Sequence, residues 1–464
     1  MTKIRCIQIF VMYLKMIHKM KTRYINCFFV AALAMMGCFM TACEDQPDKY
    51  EIADGVPTLK YVRSPLPEEA DSLLVGAYLG NTVCLVGDNL RSIYELYFND
   101  QKATLNTSYM TDHTILVDIP KNIPEEVTNK IYMVTKSGVK VDFDFNVMVP
   151  APVVSSMSCE YASAGSEAVL YGDYFVDDPN VPLTISMPGD ITVEGEQITS
   201  ITKTAVKFIV PEGAVQGNIR VKSIYGTGQS VFQYKDTRNI LFDWDGKYEG
   251  ALAAGNSWNG DNEKKGQILA SVPPVDGKYM VMGPATLSGG QWQTPGEYLM
   301  MYWPDPNATE GCVPLYNLPQ FKEMLEDYKI EELALKFEVY IPTSNPWMAE
   351  GMQIRFTSLD EVSMSNQTQD YIWNDDESHE EGKASRGVWV PWEETGSYDT
   401  NNQWVTVTLK MSEFNKLVSG LVSDTELTQD RFAGLSIFLR GGGVDGKECE
   451  PIICMDNIRV VPVE

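Results

Sequence analysis

Thr82-Val-Cys-Leu-Val-Gly-Asp-Asn-Leu90 has a near-copy further along the chain, Ala168-Val-Leu-Tyr-Gly-Asp-Tyr-Phe175. Each is an apolar, β-branched run stopped by Gly-Asp, which reads as a strand entering a turn. Each is followed by a run closed by proline, Thr114-Ile-Leu-Val-Asp-Ile-Pro120 and Ala205-Val-Lys-Phe-Ile-Val-Pro211. A third run then ends in glycine, Lys130-Ile-Tyr-Met-Val-Thr-Lys-Ser-Gly138 and Asn218-Ile-Arg-Val-Lys-Ser-Ile-Tyr-Gly226. Gly87 to Pro120 is 33 residues and Gly172 to Pro211 is 39. The preserved order predicts an internal repeat of about 85–95 residues, the size of one immunoglobulin-like sandwich. Pro150-Ala-Pro152 suits a short stiff linker between the copies.

Beyond Thr237 the composition changes. All nine tryptophans lie there: Trp244, Trp258, Trp292, Trp303, Trp347, Trp373, Trp389, Trp392 and Trp404. Alternation predicts half-buried strands. Leu335, Phe337, Val339 and Ile341 oppose Lys336, Glu338 and Tyr340; Met352, Ile354 and Phe356 oppose Gln353 and Arg355. Val405, Val407 and Leu409 oppose Thr406 and Thr408, and Leu435, Ile437 and Leu439 oppose Ser436, Phe438 and Arg440. Such strands build a sandwich or jelly roll. Pro319 starts a short helix burying Phe321, Leu325 and Tyr328. The expected fold is all-β: two immunoglobulin-like β-sandwiches in tandem, at 57–149 and 150–236, then a larger jelly-roll-like β-sandwich at 237–464.

Charge narrows the partners. The chain carries 37 Lys+Arg against 63 Asp+Glu, a net charge of −26. Residues 1–42 hold six bases and no acid, so the remainder stands at −32. So acidic a chain disfavours nucleic acid and polyanionic glycans as ligands. Histidine is confined to His18, His113 and His379, which argues against a His-rich metal site or His-based triads. The sequence has no H-E-x-x-H and no G-x-S-x-G. Gly441-Gly-Gly-Val-Asp-Gly446-Lys447 comes near a phosphate loop, but Glu448 stands where Ser or Thr should be, and the flanks read as strands. It is a hairpin loop.

The run from Cys27 to Ala42 contains no charge and suits the apolar region of a secretory signal, with Met20 as the natural start. Its end, Met40-Thr41-Ala42-Cys43, resembles a bacterial lipobox, which implies cleavage after residue 42 and a lipid on Cys43. Glu44, Asp45 and Asp48 follow, resembling the surface-export tag of Bacteroidetes lipoproteins; residues 43–56 read as an acidic tether. The five later cysteines, Cys84, Cys159, Cys312, Cys449 and Cys454, are too few and scattered for a disulfide framework.

Several tryptophans have polar, Gly- or Pro-rich neighbours: Trp258 in Gly255-Asn-Ser-Trp-Asn-Gly260, Trp292 in Ser288-Gly-Gly-Gln-Trp-Gln293, Trp347 after Pro346, and Trp389 and Trp392 around Val390-Pro391. Tyr302-Trp303 precedes Pro304. A loop indole carries a large apolar surface that either its own fold or a ligand must cover. A sugar is a natural ligand, because the C–H face of a pyranose matches the negative face of an indole and its hydroxyls need planar polar groups at the rim. Gln353, Arg355 and Arg440, on a non-core strand face, supply such groups. Trp258, Trp292, Tyr302, Trp303, Trp389 and Trp392 are the stacking candidates; Trp244 and Trp404, inside strand-like runs, read as structural.

The strand order of the two repeats resembles IPT/TIG-type domains, which mostly act as spacers. Ile240-Leu-Phe-Asp-Trp-Asp-Gly246, Gln403-Trp-Val-Thr-Val-Thr-Leu409 with Ser412-Glu-Phe414, and Met455-Asp-Asn-Ile-Arg-Val-Val-Pro462 resemble the carboxy-terminal domain of Bacteroidetes surface glycan-binding proteins. The resemblance implies a non-catalytic lipoprotein, anchored on the outer membrane and facing outward beside a carbohydrate transporter. It implies capture of a neutral polysaccharide, xyloglucan or another β-glucan, on a flat aromatic platform. Tyr302-Trp303 with Trp258 or Trp292 are the platform candidates. Two rivals remain. A glycoside hydrolase needs a carboxyl pair, which Asp375-Asp-Glu377, Glu380-Glu381 or Glu393-Glu394 could hide; a structural adhesin would leave the tryptophans unexplained. Asp243, Asp245 and Asp456 have the oxygen chemistry of calcium ligands, although acids at domain ends are more often turn residues.

Overall fold

The computed structural model describes residues 52–69, 71–255, 264–290, 294–304, 313–359 and 385–463. They are almost wholly β, with one α-helix, and no helix among them is long and apolar enough to cross a membrane. The chain divides into two compact units, up to Met148 and from Val149 onward.

The first unit is built on two four-stranded sheets. In one the strand order is Leu73–Leu74, Thr58–Arg63, Thr82–Asp88, Thr114–Asp118; in the other it is Gln101–Lys102, Ile93–Phe98, Lys130–Thr135, Lys140–Asp144. Val62, Val83, Leu85, Leu96, Ile115, Ile131 and Met133 are buried, each from the apolar phase of its strand.

The second unit opens with the matching sandwich. Its Glu167–Asp173 strand pairs with Val153–Met157 on one side and Ala205–Ile209 on the other. In the first copy Thr82–Asp88 lies in the same way between Thr58–Arg63 and Thr114–Asp118. The repeated glycine now has a physical cause. A Cβ on Gly87 would stand 2.0 Å from the Thr58 carbonyl oxygen, and one on Gly172 1.8 Å from that of Val153. Both glycines sit beside a register shift in the partner strand, at Leu59/Tyr61 and Val154/Ser156. A bulge that presses one backbone onto another leaves room only for glycine.

The larger sandwich follows. One sheet has the order Ile240–Phe242, Ile453–Pro462, Leu333–Tyr340, Val405–Lys410, with Met280–Met282 also on the Ile453 strand. The other has the order Leu299–Tyr302, Gly434–Leu439, Met352–Thr357, Gly387–Trp389. Leu335, Phe337, Val339, Met352, Ile354, Phe356, Leu435 and Ile437 interleave between them in one core with Trp244 and Trp347. The helix spans Pro319–Asp327 and buries Phe321, Met324 and Leu325, while Tyr328 caps it and packs partly against the core. The Gly441–Lys447 segment lies between the strands Gly434–Leu439 and Ile453–Pro462, with positive φ at Gly441, Gly442, Gly443 and Gly446.

Three of the strands expected to be half-buried are buried throughout: Leu333–Tyr340, Met352–Thr357 and Gly434–Leu439. In Leu333–Tyr340 this includes the polar phase. That phase faces the second immunoglobulin-like sandwich. Glu160 bonds to Lys336 Nζ at 2.6 Å and to Arg459 at 2.8 Å, while Arg459 also holds Glu338 at 2.8 Å. The Thr406 amide donates to the Ser158 carbonyl at 2.9 Å, and the Glu160 amide to Thr406 Oγ1 at 2.7 Å. Two cations against two carboxylates leave the seam near neutral, the condition under which charges tolerate burial. Burial pushes the Glu338 carboxyl up to about 7 against the pull of Arg459.

Candidate glycan-binding site

Away from the core, the Leu299–Gly387 sheet turns Leu299, Met301, Ser436, Phe438, Gln353 and Arg355 outward, opposite their core-facing neighbours. Leu299, Met301 and Phe438 form a small apolar cluster of their own, and Trp303 packs on its edge, half-buried. Trp303 therefore sits, half-buried, just past the end of a strand whose other side is fixed in the core.

The chain flanking the neighbouring tryptophans is anchored on the same edge. A Cβ on Gly255 would stand 2.7 Å from the Met301 carbonyl oxygen, so backbone runs against backbone there. The Gly255 amide donates to the Lys264 carbonyl at 2.9 Å, and Lys264 Nζ donates to the Glu297 carbonyl at 2.8 Å. Burial holds the Lys264 ammonium below its ordinary pKa. Thr294 Oγ1 donates to the Leu439 carbonyl at 2.9 Å. Gly255 and Lys264 bracket the segment of Trp258, and Gly290 and Thr294 bracket that of Trp292. Trp258 and Trp292 themselves, like Trp373, Cys43 and the acidic residues 375–381, lie outside the described residues.

Four expected binding side chains are interior. Tyr302 is 3% exposed, donates its hydroxyl to the Val313 carbonyl at 2.6 Å and meets Phe242 edge-on at 5.7 Å. Trp392 is 2% exposed and its indole N–H donates to the Glu350 carbonyl at 3.0 Å. Both rings belong to the main core and offer no open face. Gln353 and Arg355 are fully buried, because the outward face of their strand is covered over as well. Gln353 Nε2 donates to the Arg440 carbonyl at 2.6 Å and the Val418 carbonyl at 3.2 Å. Its role is to position the turn after Arg440, whose own side chain is half-buried.

Trp389 is intermediate. It is half-buried, with edge contacts to Trp347, Tyr398 and Phe337 at 5.5, 5.7 and 5.8 Å. Glu350 was not singled out by its sequence context, yet its buried carboxylate accepts the Gly441 amide and helps fix the Arg440–Gly441 turn. A lone glutamate between alanine and glycine carries no sequence signal of that role. Among the described residues no group of three or more His, Cys, Asp or Glu is arranged to hold a metal. Asp243 instead accepts the Gly246 and Tyr248 amides, and Asp245 the Lys247 amide, closing turns. Asp456 is buried beside Asp276, and burial, then that neighbour, pushes its carboxyl up to about 10.

The family described as "Surface glycan-binding protein B xyloglucan binding domain" matches residues 234–462. The surface glycan-binding protein PbSGBP-B from Prevotella bryantii, a crystal structure, is similar at 37% identity and a TM-score of 0.72, over 89% of this chain and 100% of that one. This chain belongs to the surface glycan-binding protein B family. An IPT/TIG domain-containing protein of Bacteroides ovatus is 26% identical to this chain over 204 residues, spanning 40% of each. The chain thus covers well under two thirds of that relative's length. SGBP-B from a complex xyloglucan utilization locus in Bacteroides uniformis is 16% identical, with a TM-score of 0.41 over 88% of this chain and 100% of that one.

Proposed function

We propose that this chain captures a neutral polysaccharide, xyloglucan or a related β-glucan, at the Leu299–Tyr302 edge of its larger sandwich, without cleaving it. The carrying observation is Trp303, half-buried on the Leu299–Met301–Phe438 cluster, where the described flanks of Trp258 and Trp292 are also tied down. Trp303, Trp258 and Trp292 supply stacking faces and Arg440 supplies rim hydrogen bonds, whereas Trp389, on the opposite edge strand and packed against Phe337 and Trp347, is a partly structural ring apart from them. The net charge of −26 favours an uncharged ligand over a polyanionic one. Of the described acids, Glu338 and Asp456 have markedly raised pKa values. Both are sealed from solvent, the first against Arg459, which supports binding over hydrolysis. The lipobox-like end at Cys43 supports a lipid anchor in the outer membrane, with a carbohydrate transporter as neighbour. Affinity electrophoresis of residues 44–464 tests the reading: xyloglucan or another neutral β-glucan retards migration. Unaltered migration in every neutral polysaccharide removes the reading, and release of reducing sugar favours a hydrolase.

A further inference from the structure

We propose that the seam between the second immunoglobulin-like sandwich and the larger sandwich holds a second carbohydrate pocket, sized for one sugar ring, with Trp404 as its apolar wall. The inference takes its ligand class from the proposed function but concerns a different place in the molecule.

A cavity of about 280 Å³ opens there, lined by Ser166 and Glu167 from one sandwich and by Pro273, Tyr340, Gln403 and Trp404 from the other. That falls just below the range of drug-sized ligand sites, ~300 to ~1,000 Å³, so it suits a single ring or a branch rather than a length of chain. Trp404 is set in advance. Its indole N–H donates to the Pro273 carbonyl at 2.7 Å, and Tyr279 and Tyr340 meet its ring at 5.2 and 5.7 Å, at 66° and 57°. The only indole donor is used, so what a half-buried Trp404 offers the cavity is apolar ring surface.

The polar groups complete a sugar-like environment. Gln403 and Glu167 are exposed side chains at the mouth, one carrying both donor and acceptor atoms and the other acceptor oxygens. Ser166 donates to the Ser163 carbonyl at 2.6 Å, which leaves its lone pairs to accept. An apolar plane facing an amide, a carboxylate and a hydroxyl matches a ring with C–H faces and equatorial hydroxyls. Glu167 accepts from Thr199 Oγ1 at 3.0 Å and so is held in place at the rim, and a metal cation would find a single carboxylate. The walls do not need to be ordered on binding, because the Glu160–Arg459 ion pairs and the Thr406–Ser158 backbone bond already join the two sandwiches.

The test is fluorine NMR of residues 44–464 labelled with 5-fluorotryptophan and titrated with a xylogluco-oligosaccharide. Trp404→Phe and Trp303→Phe assign the two resonances. The Trp404 signal is expected to shift saturably. Ser166→Phe, which fills the cavity from its rim, is expected to weaken that response at least tenfold while leaving the Trp303 response intact. Gln403→Ala, which alters only an exposed side chain, is expected to weaken it about fivefold. A Trp303 shift with an unmoved Trp404 overturns the pocket and leaves the proposed function standing. A Trp404 shift without one at Trp303 sustains the pocket and removes the Trp303 edge. A Trp404 shift indifferent to both Ser166→Phe and Gln403→Ala overturns the pocket.

Discussion

Trp303 and Trp392 occur in similar sequence surroundings, each beside proline, yet their surroundings in the fold differ. Trp303 rests on the rim of a small apolar cluster, whereas Trp392 is a core ring with its N–H committed to Glu350. Trp303→Ala is therefore expected to weaken glycan binding by ~1–3 kcal/mol, the scale of aromatic stacking platforms, with a nearly unchanged Tm. Trp392→Ala is expected to cost ~3–5 kcal/mol of stability, read by thermal melting, before any effect on binding. A fall in Tm for Trp303→Ala comparable to that of Trp392→Ala would put Trp303 in the core. Asp456 gives a second residue-scale test. Its folded pKa of about 10 lies above the ordinary ~3.9 of an aspartate. The native state thus binds more protons than the unfolded chain between about pH 4 and pH 10, and this group makes stability fall as pH rises through that window. Asp456→Asn keeps the shape and removes the charge. It is expected to raise stability at pH 8 by an amount on the order of 5 kcal/mol and to change it little at pH 4; equal melting curves at pH 8 would refute the assignment.

Among the elements, the repeated strand carries the most legible information. Gly87 and Gly172 stand where a bulged neighbour brings a carbonyl within 2.0 and 1.8 Å of any Cβ, so the sequence signature and the steric demand are the same fact. Gly172→Ala must push the Val153 strand aside, which is expected to cost ~1–3 kcal/mol; a wild-type urea midpoint would show that the strand gives way freely. The helix after Pro319 and the strand phases of the larger sandwich were equally readable, since both follow from side-chain period. The site was less so. Period places Gln353 and Arg355 on the face away from the core, and they are there, but period carries no information about what lies over that face. Likewise, proline and glycine around Trp392 mark a loop without revealing that the loop folds its ring inward. Lys336 and Glu338 look like a solvated strand face because the groups that neutralise them, Glu160 for Lys336 and Arg459 for Glu338, are distant in sequence.

At the scale of the whole molecule, the two sandwiches after Val149 share one buried boundary. Removing residues 44–148 is expected to leave the fold and the glycan affinity of the remainder intact. Removing residues 44–236 takes Glu160 away, leaving Lys336 and Arg459 with Glu338 alone, and uncovers Val275 and Trp404, which pack against the second sandwich. That shorter fragment is expected to be insoluble or to melt far lower. Glu160→Gln in the longer chain isolates the charge and is expected to cost about 3–5 kcal/mol. Equal melting temperatures for the two fragments would show that the boundary contributes nothing.

The Glu160–Arg459–Glu338 bridge has a consequence for protein engineering. A recombinant chimera meant to receive a new ligand preference should be cut at residue 148 and carry both carboxy-terminal modules as one cassette. Splicing at residue 236, the apparent border by sequence, would hand the recipient an ammonium and a guanidinium left to share one carboxylate, on a scaffold stripped of its lock.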